Sequence, residues 1–204
     1  MFESGPNRWR TFDAWPPREA QTKTLYFRPA GGLGFSPPTD GANERRRAGV
    51  NFEFDQFISD PAHPVPYTTG TDADWVVKII DVYPDDTPDN PRTLPNVHLG
   101  GYQQLVRSEV MRGRFRNSSE KPEPFVANQV TAVPFTVQDL CHTFRKGHWL
   151  LVQVQSTWFP LVDRNPQQYV PNIFAADAAH FQSATHRLYH SPAPASQLVL
   201  KVLP

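Results

Sequence analysis

Proline constrains this chain more than any other residue. Twenty-two prolines stand against eleven glycines in 204 residues. Proline fixes φ and has no amide to donate, so it is kept out of helix interiors and central strands. Spread along the whole chain, as here, prolines cut it into short segments joined by ordered loops. That pattern favours strands over helices.

The segments between the prolines read as strands, bounded by Pro, Gly, Asn and Asp clusters. They are Asn7–Trp15, Thr24–Arg28, Leu33–Ser36, Val50–Phe57, Asp74–Tyr83, Gly100–Val110, Gln129–Val137, His148–Thr157 and Leu198–Leu203. Asp74–Tyr83 is the clearest. Trp75, Val77 and Ile79 fall on one face; Val76, Lys78, Ile80 and Val82 fall on the other. Apolar residues on both faces suit a central strand of a sandwich. One helix is expected, Asp177–Ala184, with Asp177 as its N-cap. The best architecture is all-β: a jelly-roll β-sandwich, galactose-binding-domain-like, with one or two short helices. A chain of this length is expected to form one domain over 1–204.

Charge and cysteine narrow the function classes. Lys plus Arg and Asp plus Glu number 20 each, so the formal net charge is zero. Nucleic-acid binding needs a basic surplus, and none is present. Arg45-Arg46-Arg47 reads as a solvated loop. The single cysteine, Cys141, forms no internal disulfide and supports no cysteine-based metal site. No apolar run approaches the ~18 residues that span a bilayer, and Met1–Arg10 lacks a hydrophobic signal core.

Catalytic signatures are missing. No serine sits in a Gly-x-Ser-x-Gly elbow, and there is no His-Glu-x-x-His pair, phosphate loop or dinucleotide fingerprint. His142 and His148 flank a turn at Thr143–Gly147 and can approach one another, but no third metal ligand is evident. His186 and His190 share i,i+4 spacing on a doubtful helix. Asp72-Asp74 and Asp85-Asp86 read as turn residues. Trp9, Trp15, Trp75, Trp149 and Trp158 read as core or as groove lining, with Trp15 the best candidate for exposure. No cofactor is called for.

The stretch Ser156–Pro166 carries the strongest motif: Ser-Thr-Trp-Phe-Pro-Leu-Val-Asp-Arg-Asn-Pro. It resembles a hallmark of the CocE/NonD hydrolases, a family of serine esterases, acylases and X-Pro dipeptidyl peptidases. Gly5–Trp9 with Asp13–Pro17 resembles the entry into that family's C-terminal domain. Thr71–Lys78 with Asp81–Pro84 resembles its central strand. Gly100–Arg107, Met111–Arg116, Tyr189–Pro192 and Leu198–Leu200 follow in the family's order. The likeness is greatest to the α-amino-acid ester hydrolase and glutaryl-cephalosporin acylase branch.

The resemblance implies a C-terminal jelly-roll domain whose catalytic α/β-hydrolase domain is absent from this chain. The family's nucleophile, aspartate and histidine match no position here, so no catalytic residue is carried over. The implied partners are the α/β-hydrolase domain of the same parent and a second copy in an oligomer, with neither nucleic acid nor membrane. The implied compartment is the cytoplasm, periplasm or exterior of a bacterium. Trp9, Trp15, Trp158, Asp163 and Arg164 are the candidate domain-interface or pocket-wall residues. A rival reading from the tryptophans is a carbohydrate-binding jelly-roll module. The family has a longer stretch where only Thr68-Thr69-Gly70 separate Tyr67 from Thr71 in this chain, and the resemblance implies that this shortening exposes a sheet edge to pairing between chains.

Overall fold

A computed structural model describes residues 1–38, 54–59, 71–92, 94–191 and 195–204. Ten strands are present among them: β1 (Phe2–Glu3), β2 (Arg8–Trp9), β3 (Gln21–Arg28), β4 (Gly32–Gly34), β5 (Phe54–Ser59), β6 (Asp74–Val82), β7 (Gln103–Arg112), β8 (Trp149–Gln155), β9 (Ala184–Tyr189) and β10 (Gln197–Val202). The only helical elements among the described residues are four 3-10 turns: Pro29–Gly31, Gly113–Phe115, Ile173–Ala175 and Ala178–His180. The all-β class expected from the proline spacing is the class observed.

The chain divides into two compact units. One comprises Met1–Arg10 and Ser59–Ala184; the other comprises Thr11–Ile58 and Thr185–Pro204.

In the first unit β6 is central, antiparallel to β7 on one side and β8 on the other. Its apolar residues on both faces make it the core strand. Val76 is wholly buried, and Ile80 and Ala73 nearly so. Complete burial of a valine side chain contributes about 1.5–3 kcal/mol. A register shift between Ile79 and Ile80 interrupts the β6–β7 ladder. The β1–β2 ribbon pairs Phe2 with Trp9 and Glu3 with Arg8. It is stitched to the chain around Cys141 by a parallel bridge between Ser4 and His142. Gly5 permits that approach: its φ is +93°, and a Cβ there would collide with the Thr143 carbonyl.

The second unit holds an antiparallel sheet of order β10-β3-β4, with Leu25 opposite Leu198 and buried. It also holds the pair β5-β9.

Several local expectations are corrected. Asn7–Trp15 is strand only at Arg8–Trp9, because beyond Arg10 no neighbouring strand completes a ladder among the described residues. Gln129–Val137 forms no ladder among the described residues. The helix at Asp177–Ala184 is one 3-10 turn, ended as the chain turns into β9. Asp177 is its N-cap, accepting from the Ala179 amide at 3.0 Å. The i,i+4 pair His186 and His190 lies on and just after β9, where even spacing puts both side chains on one strand face. Residues 50–53 of the Val50–Phe57 strand, and the Tyr67–Thr71 connection up to Gly70, lie outside the described residues.

Candidate functional site

The first unit encloses a polar lattice. Asp74 at the start of β6 sits directly opposite Arg112 at the end of β7. The Arg112 guanidinium donates to both carboxylate oxygens of Asp74, each at 3.1 Å. Two residues away on each side, Arg114 donates to Asp72 through Nε at 2.7 Å and through Nη2. Both of these side chains are buried. Arg114 also donates to the Val170 carbonyl at 2.7 Å and lies over the Tyr169 ring at 4.7 Å. Burial pushes the Asp72 carboxyl above its ordinary value, and the Arg114 guanidinium opposes that push without cancelling it. Asp72 and Asp74 are therefore not turn residues. The i,i+2 spacing in Asp-Ala-Asp and Arg-Gly-Arg delivers two matched pairs between adjoining chain segments.

The hallmark stretch completes this lattice. Asn165 is buried; its Nδ2 donates to Asp74 at 2.9 Å and its Oδ1 accepts from the Gln167 amide at 2.7 Å. Gln167, also buried, adopts φ 62° and donates through Nε2 to the Ser59 and Gln182 carbonyls at 2.8 and 3.1 Å. Its carbonyl accepts from the Thr71 and Asp72 amides. Asn165 and Gln167 went unselected in the sequence, where the charged neighbours drew attention. Asn-Pro in a turn was the available signal.

The five residues singled out lie as follows. Asp163 and Arg164 are exposed. The Arg164 guanidinium stands 5.5 Å from the Phe159 ring and 5.7 Å from the Phe181 ring. Trp158 is half-buried, with the Lys78 ammonium 4.4 Å from its ring centre. Trp9 is 79% exposed and stands edge-on to Phe2. Trp15, in the second unit, is 40% exposed and tilts against Phe12.

His142 and His148 do come together, through a residue not singled out. Asp81, buried on β6, accepts from His142 Nε2 at 3.1 Å and from His148 Nδ1 at 2.8 Å. The other His142 nitrogen meets the Ser4 hydroxyl at 2.8 Å. Ser4, His142 and Asp81 thus share the connectivity of a nucleophile, base and carboxylate. The His142 side chain is buried, however, and the Ser4 amide is committed to the Cys141 carbonyl at 3.0 Å. The relay holds the first strand to the sheet. Among the described residues no three His, Cys, Asp or Glu side chains are grouped to hold a metal ion. In the second unit, His186 is buried beside Phe57, and that burial pulls its pKa down to about 4.

At one end of the β7-β6-β8 sheet, three large apolar side chains stand exposed on the edge strands beside buried Ile80 of β6. Leu105, Ile80 and Leu151 form one cross-strand row; Gln103, Val82 and Trp149 form the next. Residues in register share a face. Leu105 and Leu151 are exposed, and Trp149 is 74% exposed.

Residues 65–199 match the family described as the X-Pro dipeptidyl-peptidase C-terminal non-catalytic domain. The chain belongs to that family. Its fold is the β-sandwich domain of these hydrolases, as the sequence resemblance implied. An α-amino acid ester hydrolase structure matches with a TM-score of 0.82 and 34% identity, over 97% of this chain and 39% of that one. An aminopeptidase from a marine sediment Thaumarchaeota archaeon matches with a TM-score of 0.82 and 33% identity, again over 97% and 39%. A cocaine esterase from Rhodococcus sp. (strain MB1 Bresler) is 21% identical over 255 aligned positions, covering all of this chain and 41% of the esterase. The chain therefore spans about two fifths of the length of these relatives.

Proposed function

We propose that this non-catalytic domain serves a serine hydrolase that cleaves acyl, ester or amide bonds, or X-Pro dipeptides. In that role it packs on an α/β-hydrolase domain, walls one side of the active site and supports oligomerisation. The observation that carries the reading is the cluster of exposed Leu105, Leu151 and Trp149 at one end of the sheet. A soluble domain gains by covering such a patch, and the relatives contain more than twice as much chain to cover it. Trp9, Trp158, Asp163 and Arg164 are assigned to the contact or pocket wall on the first unit, and Trp15 to a like role on the second. The equal fits with the ester hydrolase and the aminopeptidase suit a parent that cleaves ester or amide bonds.

The test is calorimetric binding of this chain to the separately expressed α/β-hydrolase domain of the ester hydrolase relative. Binding weakened at least tenfold by Leu151→Lys supports the reading. No binding, or binding indifferent to Leu151→Lys and Trp149→Ser, contradicts it.

A second reading, a galactose-binding-like carbohydrate module, is favoured by the broad exposure of the Trp9 and Trp149 rings. Glycan-array binding lost on Trp9→Ala, Trp15→Ala or Trp149→Ala supports it. An array with no signal from a folded chain retires it.

A further inference from the structure

The Ser4–His142–Asp81 relay does more than stitch the first strand down. A carboxylate only accepts, so His142 turns its Nε2 hydrogen to Asp81, 3.1 Å away. The neutral imidazole then leaves Nδ1 bare, facing the Ser4 hydroxyl at 2.8 Å. That hydroxyl has one hydrogen and two acceptors in reach. The Cys141 carbonyl is the farther, at 3.3 Å, and the imidazole is the stronger base. His148 Nδ1 holds the second Asp81 oxygen at 2.8 Å, which keeps the carboxylate from rotating away. The backbone fixes the other end. The Ser4 amide donates to the Cys141 carbonyl and the Thr143 amide to the Ser4 carbonyl, both at 3.0 Å, across the Ser4–His142 bridge. The His142 and Asp81 side chains are buried, whereas Ser4 is half-buried. A hydroxyl held against a base that a third group orients is an activated nucleophile. A base placed in this way contributes about 10²–10⁴-fold in rate.

We infer that Ser4 is a nucleophile that accepts one acyl group from an activated aryl ester and then stops. Ser4 Oγ bonds to the carbonyl carbon. The bond from that carbon to the aryl oxygen breaks, and the aryl oxide leaves with the electron pair. The hydroxyl proton moves to His142 Nδ1, where the Asp81 carboxylate compensates the new charge. Asp81 never touches the ester; it positions His142 and fixes its tautomer. Three features set the limits. The buried imidazole cannot hand its proton to a leaving group in solvent, so the leaving group must depart as a stable anion, a phenolate rather than an alkoxide. The Ser4 amide is committed to the Cys141 carbonyl and cannot meet an oxyanion, so the step is slow. Removing the acyl group requires a water beside the imidazole, and the His142 side chain has almost no surface to hold one. The reaction is therefore stoichiometric, and the domain stays non-catalytic. The inference is independent of the docking and oligomerising roles proposed above.

Reaction of the 204-residue chain with excess p-nitrophenyl acetate tests it. The expected result is a burst of about one equivalent of p-nitrophenolate per chain, followed by the rate of buffer alone. Tandem mass spectrometry should place the acetyl group on Ser4, one of ten serines. Ser4→Ala abolishes the burst. Asp81→Asn, whose amide can donate to Nε2 and so move the imidazole hydrogen to Nδ1, slows the burst at least about tenfold. Unchanged circular dichroism and an unchanged final amplitude separate that loss of activation from a loss of folding. A wild-type chain without a burst overturns the inference. So does an acetyl group on the Met1 amine or on lysine in place of Ser4, or a burst that survives Ser4→Ala. A folded Asp81→Asn chain as fast as wild type overturns the role given to Asp81. Turnover that continues past one equivalent and is lost with Ser4→Ala overturns the one-acyl limit. If a variant fails to fold, the wild-type acetylation map decides alone.

Discussion

Arg114→Met removes one partner of the most buried arginine–carboxylate pair among the described residues. The Asp72 side chain it leaves behind is wholly inaccessible to solvent, and Arg114 itself is nearly so. Four interactions go at once: the two hydrogen bonds to Asp72, the bond to the Val170 carbonyl and the cation over Tyr169. Asp72 keeps the Ala73 amide at 2.9 Å, which does not replace a guanidinium. Breaking a buried pair from one side costs about 3–5 kcal/mol, because the remaining charge has no compensation. At about 2–4 °C per kcal/mol for a chain of this size, the melting temperature falls by roughly 6–20 °C. The pair is a weaker asset than that figure suggests. Burial already pushes the Asp72 carboxyl up against the opposing arginine, so the ionised pair carries a large desolvation cost. Asp72→Asn/Arg114→Met, which removes both charges and keeps an acceptor for the Ala73 amide, should therefore recover at least half of the loss. Urea denaturation of the single and double variants, followed by circular dichroism, supplies the cycle. A single variant costing under about 1 kcal/mol, or a double variant no more stable than Arg114→Met, refutes the reasoning.

Three further outcomes follow from the same geometry. His186 is held neutral by burial, with its pKa drawn from 6.5 to about 4. The unfolded chain binds that proton first, so stability falls as pH drops from about 6.5 to about 4, by up to about 3 kcal/mol; denaturation midpoints across that window show the slope, and His186→Leu flattens it. Gly113→Ala should cost about 2–3 kcal/mol, since a Cβ there collides with the Phe125 ring and lies 2.8 Å from the Ala73 carbonyl. Arg164→Ala, at an exposed position, should change the midpoint by less than about 0.5 kcal/mol, while Asn165→Ala, one residue on, costs about 2 kcal/mol through its two buried hydrogen bonds.

Sequence reading succeeded where one residue property dictates one outcome. Prolines marked the loops, and a segment apolar on both faces marked β6. It failed where the outcome depends on a distant partner. Gln129–Val137 has strand periodicity, but a ladder needs a neighbour that periodicity cannot supply. The polar i,i+4 histidines disguised β9, whose inward positions hold His186 beside Ala184 rather than aliphatic residues. The lattice was half visible as Asp-Ala-Asp and Arg-Gly-Arg. Pairing those triplets across β6 and β7 required the register, and Asn165 required the fold. The hallmark stretch is a family signature for a physical reason: Asn165 and Gln167 tie the loop after β8 to the acids at the head of β6.

The central claim is that this chain scaffolds catalysis performed by another domain. Its most direct test is the steady-state hydrolysis of p-nitrophenyl esters, amino-acid esters and X-Pro p-nitroanilides by the purified 204-residue chain. The account predicts rates equal to buffer alone. Saturable turnover abolished by Ser4→Ala would contradict it and would make a catalyst of the serine that the structure shows bound to His142.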